Sequence, residues 1–256
     1  MEIYVVDAFT DRAFAGNPAG VVLLDGPADD AWMQAVAAEM KHAETAFVRV
    51  ADGDGPLPLR WFTPVAEVDL CGHATLATAH VLGGSRRFAT RSGVLTCAAE
   101  DGWVEMDFPA DPAEPIAMTT TLRAGLPGVT VKAVARAVSD VLVEAASADE
   151  VRDLRPDFAA LAEAPGRGVI VTAPGDRPGL DVVSRCFYPT YGVPEDPVTG
   201  SAHCTLASWW APRLGRPHLL AEQASARGGL VRATLDQDRV RLAGQAVTVI
   251  QGRLIV

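Results

Sequence analysis

Two similar stretches of sequence, CGHATLAT at residues 71–78 and SAHCTLAS at residues 201–208, are the strongest guide to how this chain folds. They lie 130 positions apart, and a histidine, a threonine, a leucine and an alanine recur in the same register. A second repeat follows: RSGVLTCAAEDGWVEM at 91–106 matches RGGLVRATLDQDRVRL at 227–242, and both alternate as a half-buried β-hairpin does. Two matches in the same order predict a chain built from two similar halves.

Each half mixes strand-like and helix-like segments, which predicts an α+β fold. The proline-rich stretch at 108–115 marks the seam, so we place the N-terminal lobe at 1–112 and the C-terminal lobe at 113–256. The segment at 247–256 is predicted to form a last hairpin, which the sequence does not assign to either lobe. Strands are predicted at 2–9, 19–24, 44–50, 58–64, 129–138, 140–146, 168–174 and 181–189, and helices at 29–41 and, behind a capping box at 147–150, at 151–164.

Composition excludes several classes of protein. The 256 residues are 49% hydrophobic and carry a formal net charge of −10, which argues against a nucleic-acid partner because such a partner requires a basic face. No apolar run reaches membrane-spanning length, and Glu2 stands where a signal peptide would be basic, so a cytoplasmic protein is predicted. Cysteines 71, 97, 186 and 204 form no CxxC pair, so their spacing suggests neither a zinc site nor a disulfide framework.

The two repeated stretches are typical of helix starts that could bind an anion. A helix start offers backbone N–H groups without intrahelical partners and the positive end of the helix dipole, and a preceding glycine lets a ligand approach the backbone. CGHA at 71–74 and TGSA at 199–202 both fit, with Ser201 free either to cap its helix or to face the ligand. A small carboxylate-bearing molecule in a cleft between the halves is the predicted occupant, although well-capped helices alone would look the same.

Several ionisable residues accompany these turns. Glu44 precedes the apolar run Ala46-Phe47-Val48, where desolvation would suit it to proton transfer, although a solvated strand end is the plain alternative. His73 follows the first glycine, and Asp196 precedes the second turn. Glu67 and Asp69 are further candidates, expected to be solvated, with one of them structural. His203 ranks below His73, and His42, His80 and His218 are expected to have no role in the site.

Four stretches, at 6–24, 44–48, 60–82 and 187–207, together resemble the PhzF-like proteins of phenazine biosynthesis over nearly the whole chain. The resemblance implies a diaminopimelate epimerase-like fold. That fold has two pseudo-symmetric lobes, each a curled, mostly antiparallel sheet around a central helix, with the site in the cleft between them. It further implies a cofactor-independent, metal-free isomerase, commonly a homodimer, in which a glutamate moves a proton on 2,3-dihydro-3-hydroxyanthranilate.

The same resemblance assigns roles to residues of this chain. The proton-moving glutamate falls on Glu44, and its supporting residues fall on His73 and Asp196. The substrate would be held by Gly72, His73, Gly200 and Ser201, with Asn17 as a further lining residue.

One departure separates this chain from related racemases and epimerases, which use a cysteine at each helix start. Here Cys71 is mirrored by Ser201, and a hydroxyl is far too weak an acid or base to replace a thiol. A single-carboxylate isomerase is therefore favoured, with Cys71 as a packed, inert residue. Two alternatives stay open: a racemase, epimerase or dehydratase that uses Cys71, and a non-catalytic metabolite-binding protein of the same fold.

Overall fold

The computed structural model describes residues 1–50 and 55–255, and these residues form two compact units. The first unit comprises residues 1–107 and 243–256, and the second comprises residues 108–242. The boundary after residue 107 falls at the start of the proline-rich seam, five residues before the lobe boundary placed at residue 112, and the C-terminal segment is grouped with the first unit. The strands and helices are mixed in both units, which confirms the α+β class.

The first unit is built on a mixed sheet. β1 pairs antiparallel with β2, β2 runs parallel to β3, and β3 pairs antiparallel with β4. β4 runs parallel to β6, which continues antiparallel into β7 and β8. Its elements are β1 (Glu2–Ala8), β2 (Asn17–Leu24), α1 (Asp30–Met40), β3 (Thr45–Arg49), β4 (Leu57–Phe62), β5 (Glu67–Val68), α2 (Gly72–Leu82), β6 (Gly84–Thr90), β7 (Gly93–Glu100) and β8 (Trp103–Pro109), whose last two residues belong to the second unit.

The second unit is also a mixed sheet. β10, β11, β12 and β13 are neighbours in that order, with β11 and β12 parallel. β13 also runs parallel to β15, and β15 pairs antiparallel with β16. Its elements are β9 (Glu114–Pro115), α3 (Thr120–Gly125), β10 (Val131–Arg136), β11 (Val141–Ala145), α4 (Ala148–Asp153), α5 (Phe158–Ala162), β12 (Val169–Pro174), β13 (Val182–Tyr188), a 3-10 turn (Pro189–Tyr191), β14 (Val193–Asp196), α6 (Gly200–Leu214), β15 (His218–Gln223) and β16 (Gly229–Asp236). The last strand, β17 (Arg239–Arg253), begins in the second unit and belongs to the first unit from residue 243 onward.

Each unit contains one helix that is buried along most of its length. In α2 every residue from position 73 to 79 is buried, and in α6 ten of the fifteen residues are. Small side chains such as Ala74, Ala77 and Ala207 let the strands pack closely around the helix backbone. By contrast, α1 buries only one face, and its Trp32 meets Phe47 of β3 edge-on.

Two sequence expectations are wrong at the level of elements. The helix predicted over 151–164 is two short helices, α4 and α5, because Pro156 cannot continue an α-helix. The C-terminal segment forms no separate hairpin, since β17 runs unbroken through most of it and pairs antiparallel with β1. Trp209 and Trp210 of α6 are both buried in the core of the second unit.

Candidate active site

Glu44 of the first unit immediately precedes β3. The parallel pairing of β2 and β3 fixes its backbone, because the Gly20 N–H donates to the Glu44 carbonyl oxygen at 3.3 Å. A Cβ atom at position 20 would stand 2.9 Å from the Thr45 hydroxyl oxygen, so glycine is needed for the two strands to approach this closely. The local packing of β2 thus determines where the Glu44 side chain begins.

Cys71 and His73 lie at the start of α2. Cys71 is the N-cap residue, and its side chain makes no capping hydrogen bond. Its carbonyl oxygen accepts hydrogen bonds from both the backbone N–H and the hydroxyl of Thr75, the latter at 2.6 Å. The first N–H groups of the helix, which include Gly72 and His73, have no intrahelical acceptor. This is the helix start that the sequence predicted.

The three side chains meet in one place. His73 Nε2 lies 3.5 Å from Glu44 Oε2, and Cys71 Sγ lies 3.5 Å from His73 Nδ1. One potential ligand atom from each of the three residues falls within 4.8 Å of the others. His73 and Cys71 are each 6% exposed, whereas the Glu44 side chain is 21% exposed. Glu44 is therefore the member of this group that solvent, or a substrate, reaches most easily.

His73 is neutral at physiological pH. Burial lowers the pKa of its imidazole to about 3, and the charge of His42 lowers it further in the same direction. The contact with Glu44 is therefore not an ion pair. Despite the 3.5 Å separation, His73 Nε2 makes no hydrogen bond among the described residues. A partly exposed carboxylate beside a neutral, buried imidazole can act as a base toward a substrate while the imidazole stays neutral.

The second unit holds the other predicted residues. Asp196 ends β14, and its carboxylate accepts a 2.5 Å hydrogen bond from the hydroxyl of Thr199, the N-cap residue of α6. Gln223 bridges the two: its amide donates to the Asp196 carbonyl, and its Oε1 accepts from the Thr199 N–H. Gly200 is buried as the first residue of the helix. Asp196 is therefore held at a defined place beside this helix start.

Ser201 does not cap α6, because Thr199 occupies the capping position. The exposed hydroxyl of Ser201 instead accepts a 2.9 Å hydrogen bond from Nη2 of Arg167. The Arg167 guanidinium is fixed in turn by two hydrogen bonds to the buried carboxylate of Asp140 and stacks over the ring of Tyr188 at 5.0 Å. Burial lowers the pKa of Arg167, but the hydrogen bonds and charges around it, chiefly from Asp140, outweigh this and raise it overall.

Arg167 and Asp140 were missed by sequence analysis. Arg167 stands alone in a glycine-flanked turn, and Asp140 precedes a strand 27 positions earlier, so neither belongs to a recognisable motif. The only available signal was that both are charged residues next to long apolar runs, which is too common to be specific. Their pairing is a product of the tertiary structure.

The remaining predicted residues take the following places. Asn17 is the first residue of β2, fully buried beside Gly16, whose φ of +64° and close approach to the Ala8 carbonyl require glycine. Asp69 is exposed as expected. Glu67 is not solvated, contrary to expectation, because it accepts two hydrogen bonds from Arg60 and pairs with Arg91, leaving its side chain 11% exposed. Glu67 thus belongs to a structural ion cluster.

His203 corresponds in sequence to His73 but has a different environment. It is fully buried in α6, and its Nδ1–H donates to the carbonyl of Thr199 at 2.7 Å. Burial lowers its pKa to about 4, and the hydrogen bond to the Thr199 backbone offsets only part of this shift. The imidazole is committed to its own helix, in agreement with its lower rank as a site residue.

The two buried histidines predict a stability that falls in mild acid. Each binds a proton in the unfolded chain below about pH 6.5 but in the folded chain only near pH 3 or pH 4. The free energy of unfolding should therefore be fully retained above pH 6.5 and decrease by up to about 1.4 kcal/mol per pH unit and histidine as the pH falls below it. Urea unfolding at pH 7, 6 and 5 measures this, and His73→Asn and His203→Asn should each flatten the curve. Parallel curves for all three proteins would contradict the expectation.

None of the helices in the described part of the chain is long and apolar enough to span a membrane.

Comparison of the sequence and the structure with known proteins identifies the family of this chain. Residues 6–252 match the family model of phenazine biosynthesis-like proteins. The chain belongs to the PhzC/PhzF family. It is 47% identical to an uncharacterized isomerase of Halalkalibacterium halodurans, over 99% of this chain and 98% of that protein. The crystal structure of a PhzF-family phenazine biosynthesis protein from Enterococcus faecalis superposes with a TM-score of 0.94 at 38% identity, covering 100% of this chain and 99% of that one.

A more distant likeness extends the fold beyond the PhzC/PhzF family. A hydroxyproline epimerase from Agrobacterium vitis, solved with bound trans-4-hydroxy-L-proline, gives a TM-score of 0.62 at 10% identity over 98% of this chain and 91% of that one. At this identity only the fold is shared. Membership of the PhzC/PhzF family and an epimerase-like fold, both implied by the sequence, are therefore confirmed.

Proposed function

We propose that this protein is an isomerase that moves a proton within a small carboxylate-bearing substrate, with Glu44 as the group that removes the proton and returns it. The observation that carries the proposal is the position of Glu44, partly exposed and 3.5 Å from the neutral imidazole of His73. The names of relatives such as the Halalkalibacterium isomerase support the reaction class. The substrate class rests on the family resemblance and on the helix starts.

The chemistry needs one carboxylate and no net change in composition. Glu44 takes a proton from an activated carbon and becomes a carboxylic acid, while the electron pair left behind spreads over a conjugated system next to the substrate carboxylate. The same acid then returns its proton to another carbon on the same face, which restores the carboxylate. His73 stays neutral throughout and orients the Glu44 carboxylate, because protonating its buried ring is unfavourable.

The family resemblance assigns substrate binding to residues of the second unit as well, and this assignment stays a prediction. The N–H groups of Gly200 and Ser201 at the start of α6 are suited to an anion, and Asp196 would relay or orient as the resemblance implies. The roles of Gly200, Ser201, Asp196 and Asn17 stay predictions. A homodimer and a cytoplasmic location stay predictions as well. The proposal invokes no cofactor, because a carboxylate suffices for proton transfer on an activated carbon.

The test is isotope exchange in D2O. Dihydro-hydroxyanthranilate and a panel of small unsaturated and amino carboxylates are incubated with the protein and followed by NMR. Deuterium incorporation, with a shift of a double bond, is expected for at least one compound. Binding of compounds without any exchange would contradict the proposal and favour the metabolite-binding alternative.

Replacing Cys71 with alanine distinguishes the isomerase from a thiol-dependent racemase. Cys71 contacts His73 but has no cysteine counterpart, since Ser201 stands at the second helix start. We therefore expect Cys71→Ala to retain isotope exchange. The matched control is Cys97→Ala, a buried cysteine of the same unit whose pKa burial raises to about 12, so that it stays a thiol. Loss of exchange in Cys71→Ala alone would turn the assignment to a racemase, epimerase or dehydratase.

A further inference from the structure

Glu44, Cys71 and His73 together have the composition of a transition-metal site. A thiolate, an imidazole and a carboxylate are the three ligand types that bind Zn²⁺, and sites with three protein ligands leave the fourth position open. In the present structure one potential ligand atom from each residue lies within 4.8 Å of the other two. Sequence spacing gave no hint of this, because Glu44 is 27 positions from Cys71 and no CxxC pair is present.

The separation between Cys71 and His73 is the one that a tetrahedral ion imposes. With Zn–S near 2.3 Å and Zn–N near 2.0–2.1 Å, a sulfur and a nitrogen bound to the same ion stand about 3.5 Å apart. Cys71 Sγ and His73 Nδ1 are 3.5 Å apart before any ion is bound. Glu44 Oε2 lies 3.5 Å from Nε2, the other nitrogen of the His73 ring, whose lone pair diverges from that of Nδ1. The Glu44 side chain must therefore rotate toward Nδ1 to complete the site, which its partly exposed position permits.

We propose that these three residues form a Zn²⁺ site whose occupation competes with the reaction of Glu44. Binding breaks the S–H bond of Cys71 and releases its proton to solvent, and the thiolate and carboxylate then neutralise the charge of the ion. A site with no net charge avoids repulsion from the positive end of α2, where Cys71 is the N-cap residue. Metal binding stands independently of the proposed function; only the inhibition that follows from it rests on that function.

Cobalt(II) is the probe, because it takes Zn²⁺ ligands and reports a thiolate by a ligand-to-metal charge-transfer band. The full-length, reduced protein is titrated with Co²⁺ and then with Zn²⁺ in competition. We expect one ion per chain, a thiolate charge-transfer band that Zn²⁺ abolishes, and release of about one proton on binding. Cys71→Ser should lose the band. Glu44→Gln and His73→Asn each remove a ligand, so their loss of affinity should exceed the roughly 10–100-fold that the loss of a residue supporting a ligand costs.

Two matched controls keep the outcome specific. Cys97→Ala removes another buried cysteine, and Glu39→Gln removes an exposed carboxylate of α1 in the same unit. Both should bind Co²⁺ as the wild type does. Absence of a charge-transfer band in the folded wild-type protein, or an unchanged band in Cys71→Ser, would overturn the proposal.

The consequence for activity is separable from metal binding. If isotope exchange is present, adding Zn²⁺ should stop it in the wild type, and a chelator should restore it. Exchange that continues with Zn²⁺ bound would contradict competition for Glu44, whereas exchange that is absent without metal would contradict only the proposed isomerase.

Discussion

Glu44→Gln is expected to lower isotope exchange and turnover by a factor of at least about 100, since a positioned acid–base group contributes roughly 10²- to 10⁴-fold to a reaction rate. A glutamine amide has nearly the same shape as the carboxylate but cannot accept a proton from carbon. The His73 ring, 3.5 Å away, would keep a neighbour of the same size, so the local structure should persist. The measurement is deuterium incorporation by NMR with the compound on which the wild type is active.

The matched control for this substitution is Glu39→Gln. It makes the same chemical change in the same unit, on the exposed face of α1. Both variants should melt close to the wild-type temperature, so that a lost activity in Glu44→Gln reports chemistry rather than unfolding. Full exchange by a well-folded Glu44→Gln protein would remove Glu44 from the mechanism and direct attention to Cys71 or Asp196.

Arg167→Ala is expected to destabilise the protein by about 3 kcal/mol. The substitution leaves the carboxylate of Asp140, whose side chain is 3% exposed, without the two guanidinium hydrogen bonds that compensate its burial. Breaking a buried pair from one side costs roughly 3–5 kcal/mol, and the lower end applies because the Arg167 side chain is itself 36% exposed. Urea unfolding at pH 7 measures the difference.

An exposed arginine of the same unit provides the control. Arg177 pairs with Glu222 and Asp176, but its side chain is 58% exposed. Arg177→Ala should therefore cost no more than about 1 kcal/mol, as is usual for surface ion pairs. Equal losses for the two variants would show that Asp140 is not the source of the effect. Arg167→Lys should recover part of the stability, because a lysine keeps the charge but not the two-pronged geometry.

Much of the fold was readable from the sequence because its signals are local. Short apolar runs predicted β1, β2, β12 and β13, and the repeated helix starts predicted α2 and α6, because such signals depend only on a few neighbouring residues. The prediction of a capping box is partly correct. The Ser147 hydroxyl accepts a hydrogen bond from the Glu150 N–H, but the Glu150 carboxylate accepts from the backbone N–H groups of Thr130 and Ala146 instead of that of Ser147.

The sequence by itself determined the α+β class, the family and the residue types at the helix starts. Only the tertiary structure decided which side chains meet. Glu44 touches His73 because β3 and α2 carry them to one place, and Asp140 holds Arg167 across 27 positions. Burial keeps His73 neutral, whereas the Glu67 carboxylate accepts hydrogen bonds from an arginine and takes no part in the site. Such pairings depend on long-range packing and desolvation, which the order of residues along the chain does not display.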